Sequence, residues 1–217
     1  MKVVSLLSGG IDSTTLLYYL LSKGWEVKAL IFNYGQRHSK EVELARRIVE
    51  RVNVKYEVVD ISNIKNLISS GSLTGRKEVP EGHYTDENQK LTIVPNRNMI
   101  MLAIAVGHAV KLKYDAVAFG AHSNDRTIYP DCRPAFVNDL DRAIIDATEE
   151  RVELLAPFIN KTKDEIVRLG SELKVPFHMT WSCYKGGEYH CGKCATCVER
   201  KEAFKLAGIT DPTVYEK

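Results

Sequence analysis

Lys2-Val3-Val4-Ser5-Leu6-Leu7-Ser8-Gly9-Gly10-Ile11-Asp12-Ser13-Thr14-Thr15-Leu16-Leu17 is the stretch on which the fold turns. Lys2–Leu7 is a largely apolar run of strand length. Ser8-Gly9-Gly10 ends it, and beyond it Leu16, Leu17, Leu20 and Leu21 recur on one helix face. Gly24 stands where a helix C-terminus favours glycine. At the junction, Gly9 and Gly10 let backbone N–H groups approach a ligand closely, and the helix start adds unpaired donors and a positive dipole. Ser8, Ser13 and Thr14 add hydroxyls, and Ile11 and Asp12 complete the loop. Such a place is expected to bind phosphate. It is not a Walker loop, because no Gly-Lys-Ser/Thr follows, and it lacks the Gly-x-Gly-x-x-Gly spacing of a dinucleotide fingerprint. The competing reading is a turn that uses glycine for geometry alone.

Outward from this junction the same alternation continues. Val27–Phe32 reads as a strand, Lys40–Val52 as an amphipathic helix with Val42, Ala45, Ile48, Val49 and Val52 on one stripe, and Tyr56–Asp60 as a third strand. A β-α-β-α-β series is the signature of an α/β fold with a doubly wound, Rossmann-like parallel sheet. Arg97–Lys111 reads as a helix apolar on nearly every face, and hence buried. Ala116–Gly120 and Val152–Ala156 bring the sheet to about five strands, with a helix near Val137–Thr148 between them. Thr162-Lys163-Asp164-Glu165 is a capping-box pattern opening a helix that ends near Leu173. Ser69–Lys90 is polar and without period, a lid or a surface loop. The expected division is 1–175 for the nucleotide domain and 176–217 for a small C-terminal segment with a closing helix to Ala207.

That C-terminal segment concentrates the cysteines. Four of five, Cys183, Cys191, Cys194 and Cys197, fall within 15 residues. Cys-x7-Cys-x2-Cys-x2-Cys can set four thiolates around one ion, and zinc with four sulfurs is a closed structural site. Disulfides do not suit an intracellular chain. An iron–sulfur cluster is the stronger competitor, but the Cys-x3-Cys-Pro continuation of ferredoxins is absent. The expectation is one structural Zn²⁺. Cys132 is the remaining thiol, structural or pocket-lining, and with no second free cysteine a sulfur relay is disfavoured.

Composition narrows the class. The 217 residues carry 30 basic and 28 acidic side chains, a formal charge of +2, which argues against a surface built to hold nucleic acid by its phosphates. The longest apolar run, Met99–Val106, is far short of the roughly 20 residues that cross a bilayer, so no membrane contact is expected. Met1-Lys2-Val3 opens no signal-peptide pattern, and the expected compartment is the cytoplasm.

The six-residue string Ser8–Ser13 is a close match to the SGGxDS loop of the PP-loop ATP pyrophosphatases, which cut ATP between its α and β phosphates. Further blocks narrow the resemblance: Tyr34-Gly35-Gln36-Arg37-His38, Val94-Pro95-Asn96-Arg97-Asn98, Gly120-Ala121-His122, Tyr129-Pro130-Asp131-Cys132-Arg133, Trp181-Ser182-Cys183-Tyr184 and Cys191-Gly192-x-Cys194-x-x-Cys197-x-x-Arg200. Together they resemble the 7-cyano-7-deazaguanine synthase family from residue 5 to about 204. The resemblance implies a carbon–nitrogen ligase of queuosine biosynthesis that forms AMP and diphosphate. It also implies ATP with Mg²⁺, 7-carboxy-7-deazaguanine and ammonia as partners, a bound zinc, and a homodimer. The ATP site is then expected at Ser8, Gly9, Gly10, Ile11, Asp12, Ser13, Thr14 and Lys163.

Roles follow with their alternatives. Asp12 holds Mg²⁺ or orders the loop, or else caps the helix. Lys163 stands in the first turn of its helix, where the dipole disfavours a cation unless an anion lies there, so a phosphate contact is expected. Arg97 is a catalytic-site candidate by resemblance. Gln36, Arg37, His38, His122, Asp131 and Arg133 are candidates for substrate binding, with His38 and His122 equally readable as structural histidines. Two rival functions stand beside this one: another PP-loop ATPase, such as an RNA-thiolating enzyme, and a zinc-containing nucleic-acid binding module.

Overall fold

The computed structural model describes residues 1–36, 40–68, 72–73, 78–83, 91–127, 129–148 and 152–216. Its frame is β1 (Lys2–Leu6), α1 (Ile11–Ser22), β2 (Glu26–Asn33), α2 (Lys40–Arg51), β3 (Lys55–Asp60) and α3 (Lys65–Ile68). It continues with α4 (Arg97–Leu112), β4 (Ala116–Ala118), α5 (Pro134–Ala147), β5 (Glu153–Leu155), α6 (Lys163–Glu172) and α7 (Ala195–Ala207). The strands form one sheet in the order β3-β2-β1-β4-β5, with every pairing parallel. The chain leaves β1 toward β2 on one side and later returns to β4 on the other. That reversal opens a crevice beyond the strand ends, where open α/β sheets bind ligands.

Alternation along the strands explains why both faces are covered. Val3, Ala29, Ile31 and Ala118 join one core with Leu16 and Leu20 of α1, Ile48 of α2 and Ile166 of α6. Val4, Leu30, Phe32 and Val117 join the other with Leu102 and Ala105 of α4 and Val137 of α5. The expectation for α4 needs correcting. Met101, Leu102, Ala105, Val106 and Ala109 are buried, but Met99 is 42% exposed, and Ala103 and Gly107 are exposed too. Only one face of this helix reaches the sheet, and the outer face is apolar without being covered.

The segment after 176 is seated on the sheet domain. Phe177, Ala203 and Phe204 belong to the first core, with the Phe177 and Phe204 rings edge to face at 5.1 Å. Arg200, fully buried, ties the segment together: its guanidinium donates to Asp211 Oδ1 (3.2 Å), Thr180 Oγ1 (2.8 Å), Ser182 Oγ (3.3 Å) and the Phe177 carbonyl (3.0 Å). Arg200→Met takes the cation from the half-buried Asp211 carboxylate and a donor from the buried acceptors at Thr180 and Phe177. It is expected to cost about 3 kcal/mol, or roughly 10 °C of Tm for a chain this size. Thermal unfolding of the variant checks this, and a Tm within about 2 °C of the parent contradicts it.

Among the described residues, no helix is long and apolar enough to cross a membrane.

Candidate active site

The loop between β1 and α1 is held tightly. Gly9 has φ +80°, and a Cβ there would lie 2.9 Å from the Glu41 carbonyl and 3.0 Å from the Ala45 nitrogen, so the start of α2 leaves room for glycine only. Gly9 accepts a hydrogen bond from the Trp181 N–H at 2.9 Å, joining the loop to the cysteine segment. The Ser13 hydroxyl turns back to the Ser8 N–H (3.1 Å) and Ser8 Oγ (3.0 Å). The first helical bond runs from the Thr14 N–H to the Gly10 carbonyl, leaving the amides of Ile11, Asp12 and Ser13 without helix partners. Gly120, just past β4, approaches so closely that a Cβ would lie 3.2 Å from the Asp12 carbonyl carbon and the Ser13 nitrogen. This is an anion site in its geometry, with donors free at a helix N-terminus.

Asp12 does not cap α1, whose N-cap is Gly10 with no side-chain bond. Its Oδ2 faces inward, 3.1 Å from Lys163 Nζ and 3.7 Å from His122 Nε2. Lys163 also reaches Glu199 Oε2 at 3.1 Å, and His122 Nε2 lies 3.4 Å from Asp125 Oδ2. The anion expected beside Lys163 is thus present as two carboxylates. Burial alone pushes the Asp12 carboxyl up, but Lys163 and His122 outweigh it and hold it well below the usual carboxylate range. Burial likewise opposes the charge on Lys163, and Asp12 and Glu199 outweigh it. His122 follows the same logic: burial disfavours the imidazolium, while Asp12 and Asp125 raise its pKa. Burial raises Asp125, against His122 and Lys163. Asp12 Oδ1 is buried and accepts no hydrogen bond among the described residues, so one oxygen remains for a cation.

The cleft before this cluster has a volume of about 260 Å³, and Ser8, Gly10, Ile11, Asp12, Ser13 and Lys163 form one wall. Thr14 is fully buried beneath the loop and does not line it. Arg97, at the first position of α4, also lines it, with its guanidinium 5.6 Å from the Tyr34 ring centre. Gln36 also lines the cleft, although its amide is engaged with its own turn, accepting from the Tyr34 N–H and donating to the Phe32 carbonyl.

Other expected contacts are placed elsewhere. His122 lies under Asp12 and outside the lining, and Asp131 and Arg133 do not line the cleft. Asp131 Oδ2 accepts from the Asn98 N–H at 3.0 Å and so serves the N-terminus of α4. Arg37 and His38 lie outside the described residues, as does most of Ser69–Lys90. Sequence reading missed Glu199, Asp125 and Glu41. For Glu41 a signal existed: it lies on the same stripe as Ala45, Ile48 and Val52, a carboxylate where an apolar residue is the rule.

Cys183, Cys191, Cys194 and Cys197 are buried, and their four sulfurs lie within 4.8 Å of one another. A tetrahedral ion with metal–sulfur bonds of about 2.3 Å needs sulfurs about 3.8 Å apart, and the Cys191–Cys197 pair stands at 4.0 Å. The N–H groups of Lys193 and Cys194 point at Cys191 Sγ from 3.5 and 3.3 Å, the outer-shell support a metal-bound thiolate takes. This cluster can hold one metal ion.

The family model for "queuosine biosynthesis protein QueC" matches residues 2–208. The chain belongs to this family. Among the relatives of this chain, a 7-cyano-7-deazaguanine synthase of Hahella chejuensis is 53% identical, over 99% of this chain and 93% of that protein. Another, from Archaeoglobus fulgidus, is 54% identical, over 100% of this chain and 91% of that protein. Solved structures agree in fold. The U34-tRNA thiolase NcsA of Methanococcus maripaludis, with its [4Fe-4S] cluster, has a TM-score of 0.54 at 18% identity, covering 95% of this chain and 67% of that one. A 4-thiouridine synthetase in complex with RNA and bound ATP has a TM-score of 0.54 at 20% identity, covering 94% and 53%.

Proposed function

We infer that this QueC-family chain is an ATP-dependent ligase that converts 7-carboxy-7-deazaguanine and ammonia to 7-cyano-7-deazaguanine, releasing AMP and diphosphate. The observation that carries the reading is the near-full-length identity of about half to proteins of that name. The cleft supplies its chemistry. Making a nitrile removes both carboxyl oxygens, and neither leaves unaided at neutral pH. Adenylation makes AMP the leaving group for each, as a mixed anhydride with the acid and then as an imidate with the amide, so two ATP are consumed through an acyl adenylate, an amide and an activated amide. The amides of Ile11, Asp12 and Ser13, with the Ser8 and Ser13 hydroxyls and Lys163, hold the departing diphosphate. Asp12 Oδ1 suits the Mg²⁺ that accompanies ATP. Arg97, which lines the same cleft, faces the substrate.

Zinc fits the cysteine cluster better than a four-iron cluster does. In the latter each cysteine binds a different iron, which sets the sulfurs further apart than one ion does. Bound zinc supplies a closed anchor for the segment 176–217, taken here as a subdomain beside 1–175, and no chemistry. A homodimer acting in the cytoplasm on small molecules, without nucleic acid or membrane, completes the reading. The RNA-thiolating alternative is disfavoured by Cys132. It is buried, it accepts from Asn98 Nδ2 at 3.2 Å, and burial pushes its thiol far above the range of a reactive cysteine. The test supplies 7-amido-7-deazaguanine with ATP and follows nitrile by mass spectrometry. Nitrile with AMP is expected, and an inert amide contradicts the sequence of steps.

A further inference from the structure

The carboxylates on the loop side of the cleft already have partners. Asp12 and Glu199 share Lys163, and Asp125 faces His122. Glu41 is different. It lines the same cleft from the first turn of α2, half-buried, and its carboxylate makes no hydrogen bond or ion pair among the described residues. Its backbone is fixed, because its carbonyl sits against Gly9 where a Cβ would come within 2.9 Å. Burial pushes its carboxyl up to about 7, with Arg97 opposing. Arg97 lines the same cleft, and beside its guanidinium are the phenol groups of Tyr34, Tyr129 and Tyr184, aromatic surface and positive charge on which a flat, anionic bicycle can rest.

A half-buried carboxylate that lines the cleft with two oxygens and no protein donor among the described residues matches a ligand edge with two adjacent N–H groups. We propose that Glu41 reads the N1–H and 2-amino edge of the deazaguanine, one hydrogen bond to each oxygen, and so sets specificity for a 2-amino base. The proposal rests on the synthase reading above. Adenine is a poorer match, since its corresponding edge sets an acceptor nitrogen beside the amino group and turns a lone pair toward the second oxygen. The ribose diol of ATP is the remaining rival, and the test separates it.

The experiment compares wild type and Glu41→Gln on 7-carboxy-7-deazaguanine and on 7-carboxy-7-deazahypoxanthine, which lacks the 2-amino group, measuring kcat/KM for each and KM for ATP. Wild type is expected to favour the 2-amino acid by about 100-fold, and Glu41→Gln to convert the two within about threefold of each other with KM for ATP unchanged. A merely structural role lowers both substrates alike and keeps the preference, which overturns the proposal. A rise in KM for ATP with the preference intact also overturns it, in favour of the ribose. Nitrile formation by wild type with either of these results leaves the synthase reading standing alone. A wild type that neither binds nor converts the acid overturns both.

Discussion

Lys163→Met is expected to lower turnover by about 10³-fold while leaving a folded, metal-bound protein. The ammonium lies between Asp12 and Glu199 and lines the same cleft as the β1–α1 loop, the place the proposed function gives to the leaving diphosphate. A donor aimed at developing charge in a water-poor site acts mainly on the transition state, so kcat falls more than KM for ATP rises. Lys163 also has a structural share. Its removal takes away the cation that Asp12 and Glu199 share, a loss of about 2–3 kcal/mol that lowers Tm without unfolding the chain at 25 °C. Steady-state kinetics beside thermal unfolding separates the two effects. Turnover within about tenfold of wild type contradicts the phosphate role.

Cys197→Ser is expected to abolish metal binding and to unfold the C-terminal segment, taking activity with it. A serine hydroxyl stays protonated where a thiolate binds, and a structural four-sulfur zinc site is worth on the order of 10–16 kcal/mol. The damage reaches the nucleotide loop by two routes. Glu199, two residues on along α7, holds Lys163, and the Trp181 N–H holds the Gly9 carbonyl at 2.9 Å. Metal analysis, Tm and nitrile formation should therefore fall together, and chelation of the wild type should reproduce the variant. A metal-free variant with native Tm and turnover contradicts a structural role for the cluster.

What was legible in the sequence was what is local. The β1–loop–α1 junction, the capping box at Thr162 and the cysteine spacing each put their chemistry within a few turns of chain, and each is found where its pattern predicts. The charged cluster was legible only in part. Asp12, His122, Asp125, Lys163 and Glu199 come from four separate segments brought together by the crossover from β1 to β4 and by α6 lying against α7. No spacing rule links such residues. The same limit explains Asp131, a candidate for the base that instead accepts from a helix amide 33 residues away in sequence. The exposure of the outer face of α4 is not legible in its sequence, because hydrophobicity reports what can be buried, not what the fold covers.

Adenylation of the acid is the step from which the rest follows, and oxygen labelling tests it most directly. The acid is prepared with ¹⁸O in both carboxyl positions and incubated with enzyme, ammonia and ATP, and the nucleotide products are weighed by mass spectrometry. The account predicts unlabelled diphosphate and AMP carrying one ¹⁸O in each molecule, with two such AMP for every nitrile. Label recovered in orthophosphate alongside ADP would contradict it.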